Sequence, residues 1–146
     1  MVADEYSESF CKQIEKKYKK KGLKRPIYVI QKHDASRLHY DLRLEFDSKL
    51  KSWAIPKTPP RKINDKKLAI AVPDHPIEYA KFEGQIPEGN YGAGKVEIWD
   101  RGTFDTLEKT KKKIVVKIQG KRLGGKYCLI NFRPKEKSWL FFKMKE

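Results

Sequence analysis

Hydrophobic positions near the start of the chain repeat with the period of a helix. Phe10, Ile14 and Tyr18 recur every four residues, which predicts a helix over residues 7–21. Lysines crowd its last turn, and Gly22 follows, where helices commonly end on a residue in the left-handed conformation. One apolar stripe with a basic opposite side indicates a helix that packs on a larger body.

From Ile27 onward the apolar positions change to the period of two that is typical of β-strands. The predicted strands are Ile27–Gln31, Arg37–Phe46, Leu50–Ile55, Leu68–Val72, Lys95–Trp99, Thr103–Leu107, Ile114–Ile118, Tyr127–Phe132 and Trp139–Met144. Asp47 and Ser48 form a predicted tight turn between the second and third strands. This pattern is typical of a barrel or a sandwich, and barrel closure would hide the strand edges.

These patterns predict a mainly β protein: a closed or nearly closed β-barrel of about eight strands with a flanking N-terminal helix. A chain of 146 residues matches the common size of one domain. We expect a basic helical extension over residues 1–26 and the barrel domain over residues 27–146.

The chain is strongly basic, with 34 lysines and arginines against 19 acidic residues and a formal net charge of +15. Such an excess in a small domain produces self-repulsion that a polyanionic partner relieves, which favours nucleic acid. A lysine-rich surface that aids solubility and an anionic membrane surface are the alternatives that charge alone leaves open.

Two cysteines, Cys11 and Cys128, are too few for a disulfide framework and lack the spacing of zinc ligands. The start of the chain is polar and acidic, without the features of a signal peptide. No apolar run approaches the roughly 20 residues that a membrane span needs. We therefore expect a soluble, cytoplasmic protein with no membrane partner.

Chemically competent side chains concentrate on one face of the predicted strand Arg37–Phe46. Alternation places His39, Asp41 and Arg43 on its polar face, with neighbouring Cα atoms about 6.5–7 Å apart. His33 joins them if the intervening residues form a turn. Two imidazoles and one carboxylate can bind a divalent metal ion, and Arg43 can bind two phosphate oxygens beside it. The alternative is an ordinary solvated face of an antiparallel strand.

Other candidate residues are less specific when each is taken alone. His75 lies between two prolines, a rigid setting that suits either a general acid near a phosphate or a surface loop residue. Lys57 follows a predicted strand and is a candidate for a second phosphate contact. The glycine-rich stretch 87–94 matches no phosphate-binding loop and predicts turns between strands. The three tryptophans are predicted to be core residues rather than base-stacking platforms.

Several short motifs together resemble a known family. They are Gln31-Lys-His33-Asp-Ala-Ser-Arg-Leu-His39-Tyr-Asp41, Ser52-Trp-Ala-Ile-Pro-Lys57, Asp74-His75-Pro76, Phe82-Glu-Gly84, Ile86-Pro-Glu-Gly89 and Tyr91-Gly-Ala-Gly94. They resemble the 3′-phosphoesterase domain of bacterial DNA ligase D, a family that also has free-standing archaeal and bacterial members. The resemblance covers residues 27–144, and the length of the first motif excludes chance agreement.

The resemblance implies a β-barrel with an active site in a surface groove, and a manganese-dependent 3′-phosphoesterase. Such an enzyme removes a 3′-terminal ribonucleoside and then the remaining 3′-phosphate, leaving a 3′-OH for a polymerase or ligase. The implied roles are metal binding by His33, His39 and Asp41, phosphate contacts by Arg43, His75 and Tyr79, and supporting substrate contacts by Gln31 and Lys57. Zn²⁺ and Co²⁺ are the alternative divalent ions.

The resemblance also implies partners. They are the 3′ ends of DNA or of DNA/RNA primer-templates, together with a ligase, a polymerase and an end-binding protein of non-homologous end joining. We expect the chain itself to be a monomer.

One segment departs from the family pattern. Members fused to ligase D carry an Arg-Asp-Phe segment and a Glu-Pro pair before the first strand, and acidic residues there contribute to activity. This chain has the basic segment Lys16–Arg25 instead, and Glu8 or Glu15 are the acidic residues that could substitute. The resemblance therefore implies phosphate removal more directly than ribonucleoside removal.

Three other functions fit part of the sequence. A non-catalytic basic barrel could bind single-stranded nucleic-acid ends through aromatic side chains. An iron oxygenase could use two histidines and a carboxylate, but it leaves Arg43 and the positive charge unexplained. A zinc hydrolase of small phosphate esters would prefer nucleotides to strand ends.

Overall fold

The computed structural model of the protein describes residues 12–17, 22–90 and 93–146. Residues 12–17 form helix α1. The strands that follow are β1 (Ile27–Asp34), β2 (Leu38–Phe46), β3 (Lys49–Ile55), β4 (Lys67–His75), β5 (Gly84–Ile86), β6 (Gly94–Lys109), β7 (Lys113–Gly120), β8 (Gly124–Arg133) and β9 (Ser138–Lys143). Short 3₁₀ helices, Ile77–Lys81 and Pro134–Glu136, precede β5 and β9. No helix within these ranges is long and apolar enough to cross a membrane.

Eight of the strands close into an antiparallel barrel. The order around it is β1-β2-β3-β4-β9-β8-β7-β6, and β6 pairs again with β1. The short strand β5 lies outside the barrel and pairs with the first residues of β6. The predicted mainly β fold, with a closed barrel of about eight strands and a helix near the N-terminus, is confirmed.

The prediction of separate strands at 95–99 and 103–107 is wrong, because both segments belong to the single 16-residue strand β6. Gly102 lies between them and does not end the strand. A Cβ at this position would come within 1.9 Å of the carbonyl oxygen of Gln119 on β7, so glycine permits two strands to approach closely. β6 can then pair with β1 along its first half and with β7 along its second half.

The predicted turn at Asp47 and Ser48 is confirmed. Both residues have positive φ angles, 53° and 62°, and Phe46 pairs with Lys49 across the turn. A two-residue loop with positive φ at both positions is a type I′ turn, whose twist matches that of the flanking strands. Gly22 has the predicted positive φ, 87°, and residues 18–21, where the predicted helix would end, lie outside the described part of the chain.

The barrel core is formed largely by aromatic and branched side chains. Trp53 and Trp139 are buried in it, as predicted, and their rings meet edge to face at 5.6 Å. Trp99 is partly buried and packs against this core. Of the predicted helix 7–21, residues 12–17 are helical, and its remaining residues lie outside the described part of the chain.

A second apolar cluster lies outside the barrel, over β1 and β3. Ile14 of α1, Ile77 of the 3₁₀ helix and Ile86 of β5 belong to it, together with Val29 and Leu50 of the barrel strands. Burial of these side chains, at about 25 cal/mol per Å² of apolar surface, holds this outer layer on the barrel. The layer places the 3₁₀ helix beside the outward-facing polar residues of β1 and β2.

Candidate active site

The outer face of β2 carries the polar residues at the centre of the site. Tyr40 and Leu42 belong to the barrel core, so His39, Asp41 and Arg43 point outward between them. The side-chain alternation predicted from the sequence is therefore the alternation of the folded strand.

His33 on β1 reaches the same volume because the β1–β2 turn brings it directly opposite His39. The two imidazole centroids are 4.7 Å apart. The Oδ2 atom of Asp41 lies 3.5 Å from His33 Nδ1, and its Oδ1 atom lies 3.3 Å from His39 Nε2. The fold thus brings together the two histidines and the aspartate that the sequence singled out as metal ligands.

These three side chains could hold a divalent cation. One ligand atom from each lies within 4.8 Å of the others. Ligand atoms bound at about 2.1 Å to a tetrahedral ion are about 3.4 Å apart, so a bound ion would draw these three ligand atoms closer together. Two imidazole nitrogens and a carboxylate oxygen form a donor set that suits first-row divalent metals.

The alternative of an ordinary solvated strand face is wrong, because Asp41 is 6% exposed and Arg43 is 3% exposed. Burial alone would raise the pKa of Asp41, but the Arg43 guanidinium and hydrogen bonds from the two histidines hold that pKa far below its usual range. Burial also lowers the pKa of His39, but the contact with Asp41 outweighs it and raises the pKa above its ordinary value. Asp41 is therefore an ionised carboxylate that favours positive charge beside it.

Arg43 is fixed by neighbours on several sides. Its Nε donates to Gln31 Oε1 at 2.6 Å, and its Nη1 donates to Ser52 Oγ at 2.8 Å. Its Nη2 lies 3.5 Å from Asp41 Oδ2, and its Cζ lies 4.8 Å from the centroid of the Tyr79 ring. The guanidinium is thus held in one orientation beside the candidate metal ligands.

Gln31 and Ser52 form the support behind Arg43. Gln31 is fully buried, and its Nε2 donates to the backbone oxygens of Tyr79 at 2.8 Å and Phe82 at 3.1 Å. It therefore ties the 3₁₀ helix to β1 while its Oε1 orients Arg43. Ser52 has no role in the sequence-based prediction. Only its position opposite Arg43 in the β2–β3 register could have revealed it.

His75 ends β4 and packs on Tyr79, with ring centroids 4.7 Å apart, so a surface-loop position for it is wrong. Its Nδ1 is 2.9 Å from the carbonyl oxygen of Pro73 and 3.3 Å from Arg43 Nη1. A carbonyl oxygen only accepts, and it is the nearer atom, so Nδ1 carries the proton and Nε2 carries the lone pair. Burial and the Arg43 charge lower the pKa of His75 to about 3, and the ring is neutral at neutral pH.

The low pKa of His75 gives an expected pH dependence of stability. The ordinary histidine pKa is 6.5, so as the pH falls from 6.5 towards 3 the unfolded chain binds this proton before the folded chain does. The free energy of unfolding should then fall by up to about 1.4 kcal/mol per pH unit from this residue alone. Urea unfolding of the wild type and His75→Asn between about pH 6 and pH 4, with chelator, measures the difference.

The wild type should lose stability more steeply than His75→Asn over this range. Asp41 does not interfere, because its stabilising ionisation is lost only below the ordinary aspartate pKa of 3.8. His39 acts with the opposite sign, because its raised pKa adds stability as the pH falls towards 6.5. Equal slopes for the two proteins would contradict the neutral, buried imidazole.

Lys57 stands apart from the other candidate residues. It is exposed beyond the end of β3 and makes no ion pair or hydrogen bond with any residue in the described ranges. Ile55 pairs with Tyr40, so Lys57 leaves the barrel at the end of β2 where His39 lies. Its predicted phosphate contact stays a prediction.

The glycine-rich stretch 87–94 forms the connection from β5 to β6, in keeping with the predicted turn, and its residues 91 and 92 lie outside the described chain. Asn90 donates from its backbone and side-chain nitrogens to Pro87 O. A Cβ on Gly94 would come within 2.2 Å of Asp34 O, so glycine lets this connection pack on the β1–β2 turn next to His33.

A barrel surface that places two imidazoles and a carboxylate beside an immobilised guanidinium could hold a divalent cation next to an oxyanion. Comparison with known proteins identifies the family. Residues 31–131 match the family model described as the DNA Ligase D 3′-phosphoesterase domain. The chain belongs to this family, and the resemblance predicted from its motifs is confirmed.

Curated relatives support the same assignment. The chain is 48% identical over 126 residues to the "Multifunctional non-homologous end joining protein LigD" of Pseudomonas aeruginosa, covering 82% of this chain and 15% of that protein. It is 50% identical over 122 residues to the "Multifunctional non-homologous end joining DNA repair protein LigD" of Mycobacterium tuberculosis, covering 81% and 16%. The LigD protein of Mycolicibacterium smegmatis is 43% identical over 130 residues, covering 82% and 17%. The chain spans only about a sixth of these relatives.

Proposed function

We propose that this protein is a metal-dependent 3′-end-processing phosphoesterase that acts in DNA repair by end joining. The observation that carries the proposal is the Asp41 carboxylate, which lies within 3.5 Å of two imidazoles and of the Arg43 guanidinium. Phosphoryl transfer spreads negative charge over the non-bridging oxygens, and a cation beside a fixed guanidinium stabilises that charge.

The proposed substrates are the 3′ ends of DNA or DNA/RNA primer-templates. The relatives are named for non-homologous end joining, and the net charge of +15 favours a polyanionic substrate. The proposed partners are a ligase, a polymerase and an end-binding protein. Removal of the 3′-phosphate would leave the 3′-OH that ligases and polymerases require.

His33, His39 and Asp41 are the residues that would hold the cation, with Mn²⁺ proposed and Zn²⁺ or Co²⁺ as alternatives. The bound cation would supply Lewis-acid charge at the phosphoryl oxygens. Arg43 would bind a phosphate oxygen through Nη2, since Nε and Nη1 already donate to Gln31 and Ser52.

His75 and Tyr79 would complete the phosphate site. The lone pair on His75 Nε2 makes this atom the basic position of a ring whose pKa is lowered first by burial and then by the positive charge of Arg43. An anionic phosphate ester bound to Arg43 offsets that positive charge and raises the pKa of His75. A proton then taken up at Nε2 can be donated to the leaving oxygen or can stabilise its charge. The ring of Tyr79 contacts both Arg43 and His75 and holds them in place.

Ribonucleoside removal is the less supported of the two proposed steps. The basic segment Lys16–Arg25 stands where relatives fused to a ligase carry acidic residues. Glu15 is exposed on α1, and Glu8 lies outside the described residues. Removal of the 3′-phosphate is therefore the better supported of the two proposed activities.

A gel assay on a 5′-labelled primer tests the proposal. Primers ending in a 3′-phosphate or a ribonucleotide are incubated with manganese, zinc, magnesium or a chelator, and a 3′-OH primer is the unreactive control. The expected result is conversion of the 3′-phosphate to 3′-OH with manganese and none with chelator.

Two results would contradict the proposal. Primer binding that is indifferent to chelator and gives no product would identify a non-catalytic binding barrel. Faster hydrolysis of free nucleotides than of primer ends would identify a hydrolase of small phosphate esters.

A further inference from the structure

A cavity lined by both charged and apolar side chains lies on the barrel side of the β2–β3 hairpin, opposite the candidate active site. Ser52 faces outward to Arg43, whereas its neighbours Lys51 and Trp53 face the barrel. The cavity has a volume of about 370 Å³ and opens where β6 ends and β7 begins. Its size falls in the range typical of small-ligand sites.

Three lysines surround this cavity: Lys51, Lys109 and Lys111. None of them forms an ion pair with a carboxylate of the residues that the structure describes. Aromatic rings hold two of the ammonium groups instead, with Lys51 Nζ 5.6 Å from the Trp53 ring and Lys109 Nζ 5.0 Å from the Phe46 ring. Three cations that lack a counter-charge repel one another, and an anionic ligand would relieve this repulsion.

The wall of the cavity adds two further requirements for a ligand. Trp139 lines the cavity, and because it is 5% exposed and packs in the barrel core, the part of its ring that a ligand can contact is held rigid. The Oδ1 atom of Asn131 is buried and accepts no hydrogen bond from any residue in the described ranges. Its Nδ2 lies 3.5 Å from Lys111 O, a long contact. A buried acceptor of this kind favours a ligand that carries an N–H or O–H donor.

We propose that this cavity binds a nucleotide. The phosphate would contact the ammonium groups of Lys51, Lys109 and Lys111, and a base N–H would donate to Asn131 Oδ1. The base would pack near Trp139, since a flat aromatic group matches an aromatic wall. The nucleotide is either free or part of a strand, because both present the same phosphate and base. This binding site is separate from the cation site and needs no catalysis.

Nuclear magnetic resonance of the full ¹⁵N-labelled chain, with chelator, tests the proposal by titration with AMP. The expected result is a saturable shift of the Trp139 indole N–H and the Asn131 side-chain amide signals. Inorganic phosphate should shift them more weakly, because it lacks the base. Shifts confined to residues around Arg43, or phosphate binding as tight as AMP binding, would overturn the proposal.

Matched charge variants locate the phosphate contacts. The double variant Lys109→Gln/Lys111→Gln should weaken AMP binding about tenfold or more, because two charged contacts are lost. The control Lys117→Gln/Lys121→Gln removes the same charge at exposed positions outside the cavity and should change binding by about twofold or less. Equal weakening in both variants would show general electrostatic attraction and would overturn the assignment.

A parallel titration with an oligonucleotide distinguishes binding of a strand from binding of a free nucleotide. A short single-stranded oligodeoxynucleotide that shifts the same signals at lower concentration than AMP would identify a strand-binding site. Tighter binding of AMP would identify a site for free nucleotides. An Asn131→Leu variant should weaken both, because it removes the acceptor proposed for the base N–H; unchanged binding would contradict the proposed contact.

Discussion

Replacing His39 with Ala should reduce turnover of a 3′-phosphorylated primer by about a thousandfold and leave the barrel folded. His39 supplies one of the three candidate ligand atoms, and a cation held by His33 and Asp41 alone would bind much more weakly. The side chain is 24% exposed and contacts only Asp41 Oδ1 and Arg37 O among the hydrogen-bond partners described, so the free energy of unfolding should change by about 1 kcal/mol. Primer gels and thermal unfolding measure the two effects.

Leu38→Ala is the matched control, because Leu38 is 44% exposed on the same strand and contributes no ligand atom. It should keep turnover within about twofold. His39→Ala tests the site more cleanly than Asp41→Ala, which leaves the buried Arg43 charge unpaired and costs about 3–5 kcal/mol of stability. Near-normal turnover of His39→Ala with manganese would contradict its role as a ligand.

Arg43→Lys should lower turnover by about a hundredfold or more and destabilise the fold by about 3 kcal/mol. The planar guanidinium donates to Gln31 and Ser52, faces Asp41 and packs on Tyr79 at the same time. A lysine ammonium is a point charge that cannot keep these contacts and still reach a phosphate. Urea unfolding and primer turnover measure the two losses.

Arg101→Lys provides the comparison, because Arg101 is exposed on β6 and belongs to no described part of the site. It should alter stability by about 0.5 kcal/mol or less and leave turnover near the wild-type rate. An Arg43→Lys variant that retains wild-type turnover would show that planar, fixed recognition of the phosphate is not needed.

Period-two alternation along β2 is sufficient to predict that His39, Asp41 and Arg43 share a face. Successive side chains of a strand must point to opposite sides, and the core positions of Tyr40 and Leu42 fix which side is which. The turn at 47–48 is also predicted locally, because aspartate and serine favour tight turns between two strand patterns. Local geometry therefore accounts for the centre of the site and for much of the barrel.

Alternation cannot show what covers that face. Tyr79 reaches the site because the 3₁₀ helix is held on β1 by apolar packing and by the hydrogen bonds of Gln31, both of which join distant parts of the chain. Tyr79 is predicted as a site residue only from the family resemblance, because no periodic pattern in the sequence points to it. The burial of Asp41 and the support from Ser52 likewise depend on the register of β2 and β3, which single-strand patterns do not contain.

The most direct test of the proposed cation site is the anomalous signal of manganese in crystals of the wild type and of His39→Ala soaked in Mn²⁺. The expected result is a wild-type peak about 2.2 Å from nitrogens of His33 and His39 and an oxygen of Asp41, with the peak weakened or absent in the variant. A wild-type peak at other residues, or an equal peak in His39→Ala, would contradict the account.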